Sequence, residues 1–201
     1  MITYKAFILL PGYETNTYLV WDTESLEAIL IDPAAPSKEL KEEIESNKLI
    51  LLKIINTHGH GDHIGGNDYF QKAFNAPICI HKEDADMLKN PSLNLSSLMN
   101  FHVESTNPNT VFQEKSSFNL GNHKIEIIPT PGHTKGGIVI YAKPYLFSGD
   151  TIFLHDMGRT DLPGGDYQQL IRSIKENILV LPDDTIVLPG HGPSTTVLNE
   201  K

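Results

Sequence analysis

Three imidazoles and one carboxylate crowd into six consecutive positions of this sequence. The segment runs from His58 to His63 and reads His-Gly-His-Gly-Asp-His. Packing does not call for such a cluster, because each buried imidazole needs partners for two ring nitrogens. Neutral imidazole and carboxylate are instead the ligands that zinc and neighbouring transition metals prefer. The spacing therefore predicts a metal site at His58, His60, Asp62 and His63.

The elements on either side are predicted to hold this cluster in place. Residues 49–55 form a Leu-rich and β-branched run that is typical of a buried strand. Residues 67–74 can continue as a helix after the Gly65-Gly66 turn. The cluster is thus expected on a strand-to-helix loop, where ligands two positions apart project from one side. Asp62 and His63 are adjacent, so they should point apart and can serve a second metal.

The chain resembles the metallo-β-lactamase superfamily in four segments that occur in the family's order. The first, 57–63, matches the signature T-H-x-H-x-D-H. The other three are Thr130-Pro131-Gly132-His133-Thr134, Ser148-Gly149-Asp150-Thr151 and Pro189-Gly190-His191-Gly192. The resemblance covers nearly the whole chain, and it implies a four-layer αββα sandwich with the site at one edge between two sheets. Without it, the pattern of elements indicates only a mixed α/β or α+β domain.

The resemblance also implies a dinuclear metal centre. The first metal would take His58, His60 and His133, and the second Asp62, His63 and His191, with Asp150 bridging the two. Two divalent ions, zinc first and iron or manganese as alternatives, can hold a hydroxide between them and polarise a carbonyl oxygen. Asp62 is also the candidate to orient this hydroxide. Asp32 either supports the metal loop from behind or caps its own turn.

The segment after Asp150 points to a subfamily. Residues 157–166 look like the G-R-T-D-L-P-G-G run of small bacterial glyoxalase II-like hydrolases, which implies hydrolysis of a thioester such as S-D-lactoylglutathione. Arg159 falls where glyoxalase II uses a Lys to meet a glutathione carboxylate. It could equally fix the loop by pairing with Asp161 or Asp166. The chain is expected to form one domain, 1–201, without the C-terminal helical domain that completes the glutathione pocket of glyoxalase II.

Two other functions stay open. A persulfide dioxygenase resembles glyoxalase II in its motifs but binds one iron, for which His58, His133 and Asp150 are the candidate ligands. The third possibility is a metal-binding module that has lost catalysis. The Leu-Pro-Gly-Gly continuation at 162–165 favours the hydrolase, and the complete set of ligands argues against the silent module.

The composition limits which cellular compartment and which classes of binding partner are expected. The formal net charge is -9 and no basic run occurs, which argues against binding to nucleic acid. The apolar runs are shorter than the roughly 18 residues of a membrane span, and the N-terminal run is too short for a signal peptide. Cys79 is the single cysteine, so an internal disulfide is impossible. A cytoplasmic enzyme acting on a small acyl-thiol is expected.

Hydrophobic periodicity predicts the remaining elements. Strands are expected at 5–10, 17–22, 28–32, 76–81, 124–128, 137–141, 145–147 and 185–188, and helices at 37–47, 82–89 and 167–179. The polar span 90–117 could form a short helix over the site or a loop packed by its own apolar residues. Four histidines outside the motifs are expected at the surface or as partnered core residues: His81, His102, His123 and His155.

Overall fold

The computed structural model describes residues 1–99 and 101–201, and its strands form two six-stranded sheets. The first sheet contains, in spatial order, β1 (Ile2–Ile8), β2 (Asn16–Asp22), β3 (Glu27–Ile31), β4 (Ile50–Ile55), β5 (Ile78–His81) and β6 (Thr110–Phe112). Its first three strands are antiparallel neighbours, whereas β3 to β6 run parallel. The parallel strands end at one edge of the sheet, which is where β4 leads into the His-rich loop.

The second sheet also has six strands and is built from the C-terminal half of the chain. In chain order it contains β7 (Ser116–Leu120), β8 (His123–Pro129), β9 (Ile138–Ala142), β10 (Tyr145–Gly149), β13 (Ile186–Pro189) and β14 (Thr195–Thr196). A separate small hairpin, β11 (Ile152–Phe153) and β12 (Asp156–Met157), follows β10. Strands β10 and β13 are parallel, so both deliver the chain to the same edge.

Helices cover the outer faces of both sheets. They are α1 (Lys38–Ser46), α2 (Gly61–Ile64), α3 (Asn67–Phe74), α4 (Tyr167–Ser173) and α5 (Val197–Glu200), with a π-helical turn over Ile174–Ile178 and 3₁₀ helices over Lys82–Lys89 and Ser96–Leu98. Helix α1 begins as predicted, because the Ser37 hydroxyl accepts a hydrogen bond from Leu40 N at 3.1 Å. Within the described residues no helix is long and apolar enough to cross a membrane.

Strand alternation separates the layers of the core. On β3, Ala28 and Leu30 pack with α1 and α3, whereas Ile29 and Ile31 face the second sheet. A third apolar cluster joins the outer face of the second sheet to α4, through residues such as Val139 and Leu170. The order helix, sheet, sheet, helix confirms the predicted αββα sandwich.

Several boundaries differ from the sequence-based predictions. The segment 82–89 forms a 3₁₀ helix, and the helix predicted at 167–179 changes to π geometry after Ser173. Strands β6 and β7 lie inside or at the end of the polar span 90–117, where no strand was predicted. Their sequences are polar, and pairing with β5 and β8 makes them strands. Asn100, which belongs to that span, lies outside the described residues.

Candidate metal centre

All seven side chains that were predicted as metal ligands lie at the edge where the two sheets end. His58 and His60 lie on the loop after β4, and Asp62 and His63 lie in helix α2, which follows directly. The loops after β8, β10 and β13 carry His133, Asp150 and His191. One sheet therefore supplies four of these groups and the other sheet supplies three. The rigid strand ends fix where each loop begins, which is why Asp62 and His191, 129 positions apart, can meet.

The first group brings together His58, His60 and His133. One ligand atom of each lies within 4.8 Å of the others. His133 Nε2 is 3.0 Å from His60 Nδ1, and the centroids of the His58 and His60 rings are 4.7 Å apart. Three imidazole nitrogens converging on one point match the donor set of a zinc or iron site.

The second group brings together Asp62, His63 and His191, again with ligand atoms within 4.8 Å. His63 Nε2 lies 3.3 Å from His191 Nε2, and Asp62 Oδ2 lies 3.4 Å from His191 Nε2. Asp62 and His63 are adjacent in the chain, yet both contribute to this one group. This grouping agrees with the prediction that Asp62 and His63 bind a second metal ion, separate from the one at His58 and His60.

Asp150 lies between the two groups. Its Oδ2 atom is 3.6 Å from His133 Nε2 in the first group and 3.5 Å from His191 Nε2 in the second. Its Oδ1 atom is 3.5 Å from His63 Nε2. A carboxylate at this position is able to contact two cations at once, so the bridging role that the resemblance implies for Asp150 stays a prediction that this geometry permits.

Three buried polar atoms of the cluster have no hydrogen-bond partner among the described residues. They are His58 Nε2, His60 Nε2 and Asp150 Oδ1. An unpartnered buried polar atom costs free energy, about 1–3 kcal/mol each, so native structures rarely retain it without a ligand. The donor set and these unpartnered atoms fit divalent metal ions.

The outward-facing nitrogens of the histidines are held by the rest of the fold. His63 Nδ1 lies 2.9 Å from Asp32 Oδ2, and His133 Nδ1 donates to the carbonyl of Arg159 at 2.7 Å. His191 Nδ1 donates to the Tyr13 carbonyl at 3.0 Å. These contacts fix each ring and its tautomer, so that Nε2 faces the centre.

Asp32 acts as the support that the resemblance implied. Its Oδ1 accepts the Thr57 backbone N–H at 2.7 Å and its Oδ2 accepts the Thr57 hydroxyl at 2.5 Å. The Thr57 hydroxyl oxygen is also 3.1 Å from His58 Nδ1. Asp32 has φ 47, a left-handed conformation that Asp tolerates better than most residues. Its carboxylate therefore orients both His58 and His63.

Two further contacts were not predicted from the sequence. Asp84, in the 3₁₀ helix Lys82–Lys89, accepts hydrogen bonds from Gly59 N, from the Thr134 hydroxyl and from Gly136 N at 3.1, 2.7 and 2.7 Å. It therefore joins the loop of His58 and His60 to the loop of His133. Thr15 Oγ1 donates to Asp62 Oδ2 at 3.1 Å. No local motif surrounds either residue, so the sequence alone offered no signal.

The two groups differ in their electrostatics. Burial, followed by the neighbouring imidazoles, lowers the pKa of His58, and burial together with His133 lowers the pKa of His60 to about 3. Burial also acts to lower the pKa of His63, but the carboxylates of Asp62, Asp150 and Asp32 outweigh it and raise this pKa to about 10. His58 and His60 are therefore neutral imidazoles, which is the form that binds metals.

The carboxylate of the second group responds to the same neighbours. Burial raises the pKa of Asp62, but His63 and His191 outweigh this effect and hold it below its ordinary value. The pKa of His191 is raised, because its hydrogen bond with Asp62 and the charge of Asp150 exceed the effect of burial. Asp62 is thus a carboxylate anion, the state in which it can bind a cation.

The cluster opens into a cleft of about 450 Å³. Side chains of His60, Asp62, His133, Asp150 and His191 form its floor. Its walls are formed largely by apolar side chains from four loops: Tyr13, Leu95, Met99, Phe153, Met157 and Leu162. Leu95 and Met99 belong to the polar span 90–117, so that span contributes a wall of the cleft.

Arg159 also lines the cleft, but its guanidinium is already engaged. Its Nε and one terminal nitrogen donate to the two carboxylate oxygens of Asp161 at 2.7 and 2.8 Å. The loop-fixing interpretation of Arg159 is therefore present in the structure, with Asp161 as the partner. A contact between Arg159 and a substrate stays a prediction.

The four histidines outside the motifs take no part in the cluster. His81 caps the 3₁₀ helix Lys82–Lys89, and His102 lies beside Glu104 at the surface. His123 lies 3.5 Å from Asp22, and His155 faces Glu200. The expectation of surface or partnered positions is confirmed for all four.

Comparison with known proteins gives a consistent family. A model described as the metallo-beta-lactamase superfamily matches residues 10–191. The chain is 33% identical to the probable metallo-hydrolase YqgX of Bacillus subtilis, over 94% of this chain and 90% of that protein. It is 34% identical to the hydroxyacylglutathione hydrolase GloC of Haemophilus influenzae, over 96% and 93% of the two chains.

Solved structures agree on the fold, and one of them is described as metal-bound. The crystal structure of BLEG-1 B3 metallo-beta-lactamase has a TM-score of 0.93 and 35% identity, covering 98% of this chain and 96% of that one. A di-iron-bound form of TTHA1623 has a TM-score of 0.84 and 31% identity, with the same shares covered. The chain belongs to the metallo-beta-lactamase superfamily, whose members are mostly hydrolytic metalloenzymes.

Proposed function

We propose that this chain is a thioester hydrolase that holds two divalent metal ions, with zinc as the first candidate and iron or manganese as alternatives. His58, His60 and His133 would hold one ion and Asp62, His63 and His191 the other, with Asp150 contacting both. The observation that carries the proposal is the convergence of these groups on the floor of an open cleft. Three of their buried atoms lack a partner within residues 1–99 and 101–201.

The reaction adds water to the thioester carbonyl, breaks the C–S bond and releases a carboxylic acid and a thiol. When bound, two divalent ions supply a hydroxide near neutral pH and withdraw electron density from the carbonyl oxygen. Asp62 faces the cleft, and its carboxylate is held by Thr15 Oγ1, so it is placed to orient the attacking oxygen. Asp32 and the Arg159 carbonyl keep His63 and His133 from rotating.

Two observations support a thioester as the substrate. GloC, a relative at 34% identity that the chain matches over nearly its full length, is described as a hydroxyacylglutathione hydrolase. The segment 157–166 carries the G-R-T-D-L-P-G-G run, and the structure places Met157, Arg159 and Leu162 of this segment on the cleft wall. An acyl-thiol of small molecular size is therefore the proposed substrate, with S-D-lactoylglutathione as the first to assay.

The test combines metal content with turnover. Protein purified without added metal is analysed for metals by elemental mass spectrometry and assayed with S-D-lactoylglutathione and with thioesters of a neutral thiol. About two ions per chain and hydrolysis of at least one thioester are expected. One iron per chain, with oxygen uptake on a persulfide and no thioester hydrolysis, would instead establish the dioxygenase alternative. Fully metal-loaded protein without any turnover would favour the non-catalytic module.

A second candidate is hydrolysis of a β-lactam amide. It is favoured by the TM-score of 0.93 with a structure described as a B3 metallo-beta-lactamase. The same metal-loaded protein is assayed with a chromogenic cephalosporin. A kcat/KM for the cephalosporin that exceeds every thioester value would replace the thioesterase with this candidate.

A further inference from the structure

We infer that the acyl part of the substrate is an uncharged, apolar chain that lies along a fixed wall formed by Leu95 and its neighbours. This inference rests on the proposed function and adds a substrate class to it. The apolar wall is defined here as six side chains: Tyr13, Leu95, Met99, Phe153, Met157 and Leu162.

The wall is continuous with the candidate metal centre. Phe153 approaches the ring of His191 with a centroid distance of 6.3 Å, and the Tyr13 carbonyl holds His191 Nδ1. Tyr13 is itself held edge-to-face against Phe101 at 5.3 Å. The apolar side chains thus begin beside the candidate metal centre, and we assign them to the acyl group, whose carbonyl would lie at that centre.

Leu95 is built into the wall by its backbone. It has φ 64, a conformation that is costly for a bulky residue, and its side chain is nevertheless 8% exposed. Neighbouring Asn94 maintains this conformation, because its side-chain amide donates to the carbonyls of Met87 and Val103 at 2.9 and 3.0 Å. Its carbonyl accepts Gly61 N at 2.8 Å. The wall is thus fixed directly to the metal-binding loop.

Away from the metal ions, the charged side chains of the cleft wall disfavour an anionic acyl group. Among the described residues that line the cleft, Arg159 is the one Lys or Arg, and Asp161 already takes two of its N–H groups. Asp156 adds a negative charge at the wall. A carboxylate on the acyl chain would meet Asp156 and would have to compete with Asp161 for the guanidinium. An aliphatic chain is not repelled by Asp156 and does not compete with Asp161, and its binding removes apolar surface from water.

The experiment is a series of thioesters of one neutral thiol, N-acetylcysteamine, with acetyl, butanoyl, hexanoyl and succinyl groups. We expect kcat/KM to rise about twofold for each added CH₂, which corresponds to a methylene half removed from water. The succinyl ester should be hydrolysed at least tenfold less efficiently than the butanoyl ester. Both comparisons keep the leaving group constant, so they report on the acyl pocket alone.

Two variants assign the effect to the wall. Leu95→Ala should lower the ratio of hexanoyl to acetyl kcat/KM about threefold. Leu98→Ala is the matched control, since Leu98 belongs to the same segment but is 82% exposed and lies outside the cleft lining. The ratio should be unchanged in that control.

The outcomes separate this inference from the proposed function. Hydrolysis that does not depend on chain length, or a succinyl ester as good as the butanoyl ester, would overturn the apolar acyl chain and leave the thioesterase intact. An equal fall in the ratio for both leucine variants would overturn the assignment to the wall. If metal-loaded protein hydrolysed none of the thioesters, the proposed function itself would be overturned.

Discussion

Asp62 combines two roles at the scale of a single residue. Its Oδ2 lies 3.4 Å from His191 Nε2, so the carboxylate belongs to the second group of ligands, and it also lines the floor of the cleft. Thr15 holds the same oxygen through its hydroxyl at 3.1 Å. A group that both binds a cation and faces the reacting atoms couples metal content to turnover.

Replacing Asp62 by Asn tests this coupling. The amide keeps the size of the side chain but loses the charge, and its NH₂ group cannot accept the hydrogen bond from Thr15. We expect kcat on the best thioester to fall at least about 100-fold, with a loss of metal from the second group. Elemental analysis and steady-state kinetics measure the two effects separately. Unchanged metal content together with unchanged kcat would remove Asp62 from the mechanism.

At the scale of secondary-structure elements, Asp84 connects two loops through hydrogen bonds. Both of its carboxylate oxygens are needed, since one accepts Gly59 N and the Thr134 hydroxyl while the other accepts Gly136 N. It is buried, and burial raises the pKa of this carboxyl despite the three donors. The 3₁₀ helix Lys82–Lys89 thereby holds together two ligand loops that belong to different sheets.

We expect Asp84→Asn to loosen these loops. An Asn at this position would direct its NH₂ group at one of the three donors and leave it unpaired, at a cost of about 1–3 kcal/mol. The affinity of the first group for metal should fall about tenfold or more, as is typical when the support of a ligand is removed. Competition with a chelator of known affinity measures this loss.

Asp68→Asn is the matched control for Asp84. Asp68 also accepts hydrogen bonds from another loop, from the Ser105 hydroxyl at 2.9 Å and from Thr106 N at 2.8 Å, but it contacts no ligand loop. Metal affinity should be unaffected in this variant. A similar loss of affinity in both variants would show that the Asp84 effect is general destabilisation.

In the whole molecule, the candidate metal centre lies where the two sheets meet and draws its residues from both. The loop after β4 belongs to the first sheet, whereas His133, Asp150 and His191 follow strands of the second. The proposed ions would therefore link the open edge of the sandwich, in addition to the apolar contacts between the sheets. Ligands that bind only the native state stabilise it by mass action.

Metal removal should accordingly lower the melting temperature. Free metal at about 1,000 times its Kd contributes about 4 kcal/mol, which corresponds to about 10 °C for a chain of this size. Differential scanning calorimetry before and after chelation measures the shift, and added metal should restore the original Tm. An unchanged Tm in protein shown to be metal-free would contradict a role of the ions in joining the sheets.

The donor types of the candidate metal centre and the class of the fold could be predicted from the sequence. The residue types and spacing between His58 and His63 indicate a metal site. On strands such as β3, the alternation of side chains places successive residues in different layers of the core. Both signals are local, so neither needs knowledge of distant contacts. Most strands and helices were predictable for the same reason, although their ends moved by a few residues.

The residues that support the candidate ligands or line the cleft could be found only in the tertiary structure. Asp84 reaches Gly136 across 52 positions, and the Tyr13 carbonyl reaches His191 across 178. The apolar wall gathers side chains from four loops, and Leu95 belongs to it because Asn94 holds an unusual backbone conformation. Such contacts depend on how loops converge at a sheet edge, which no local pattern encodes. The predicted ligand types are therefore readable from the sequence and its family motifs, whereas the residues that support them and the apolar wall follow only from the packing of the two sheets.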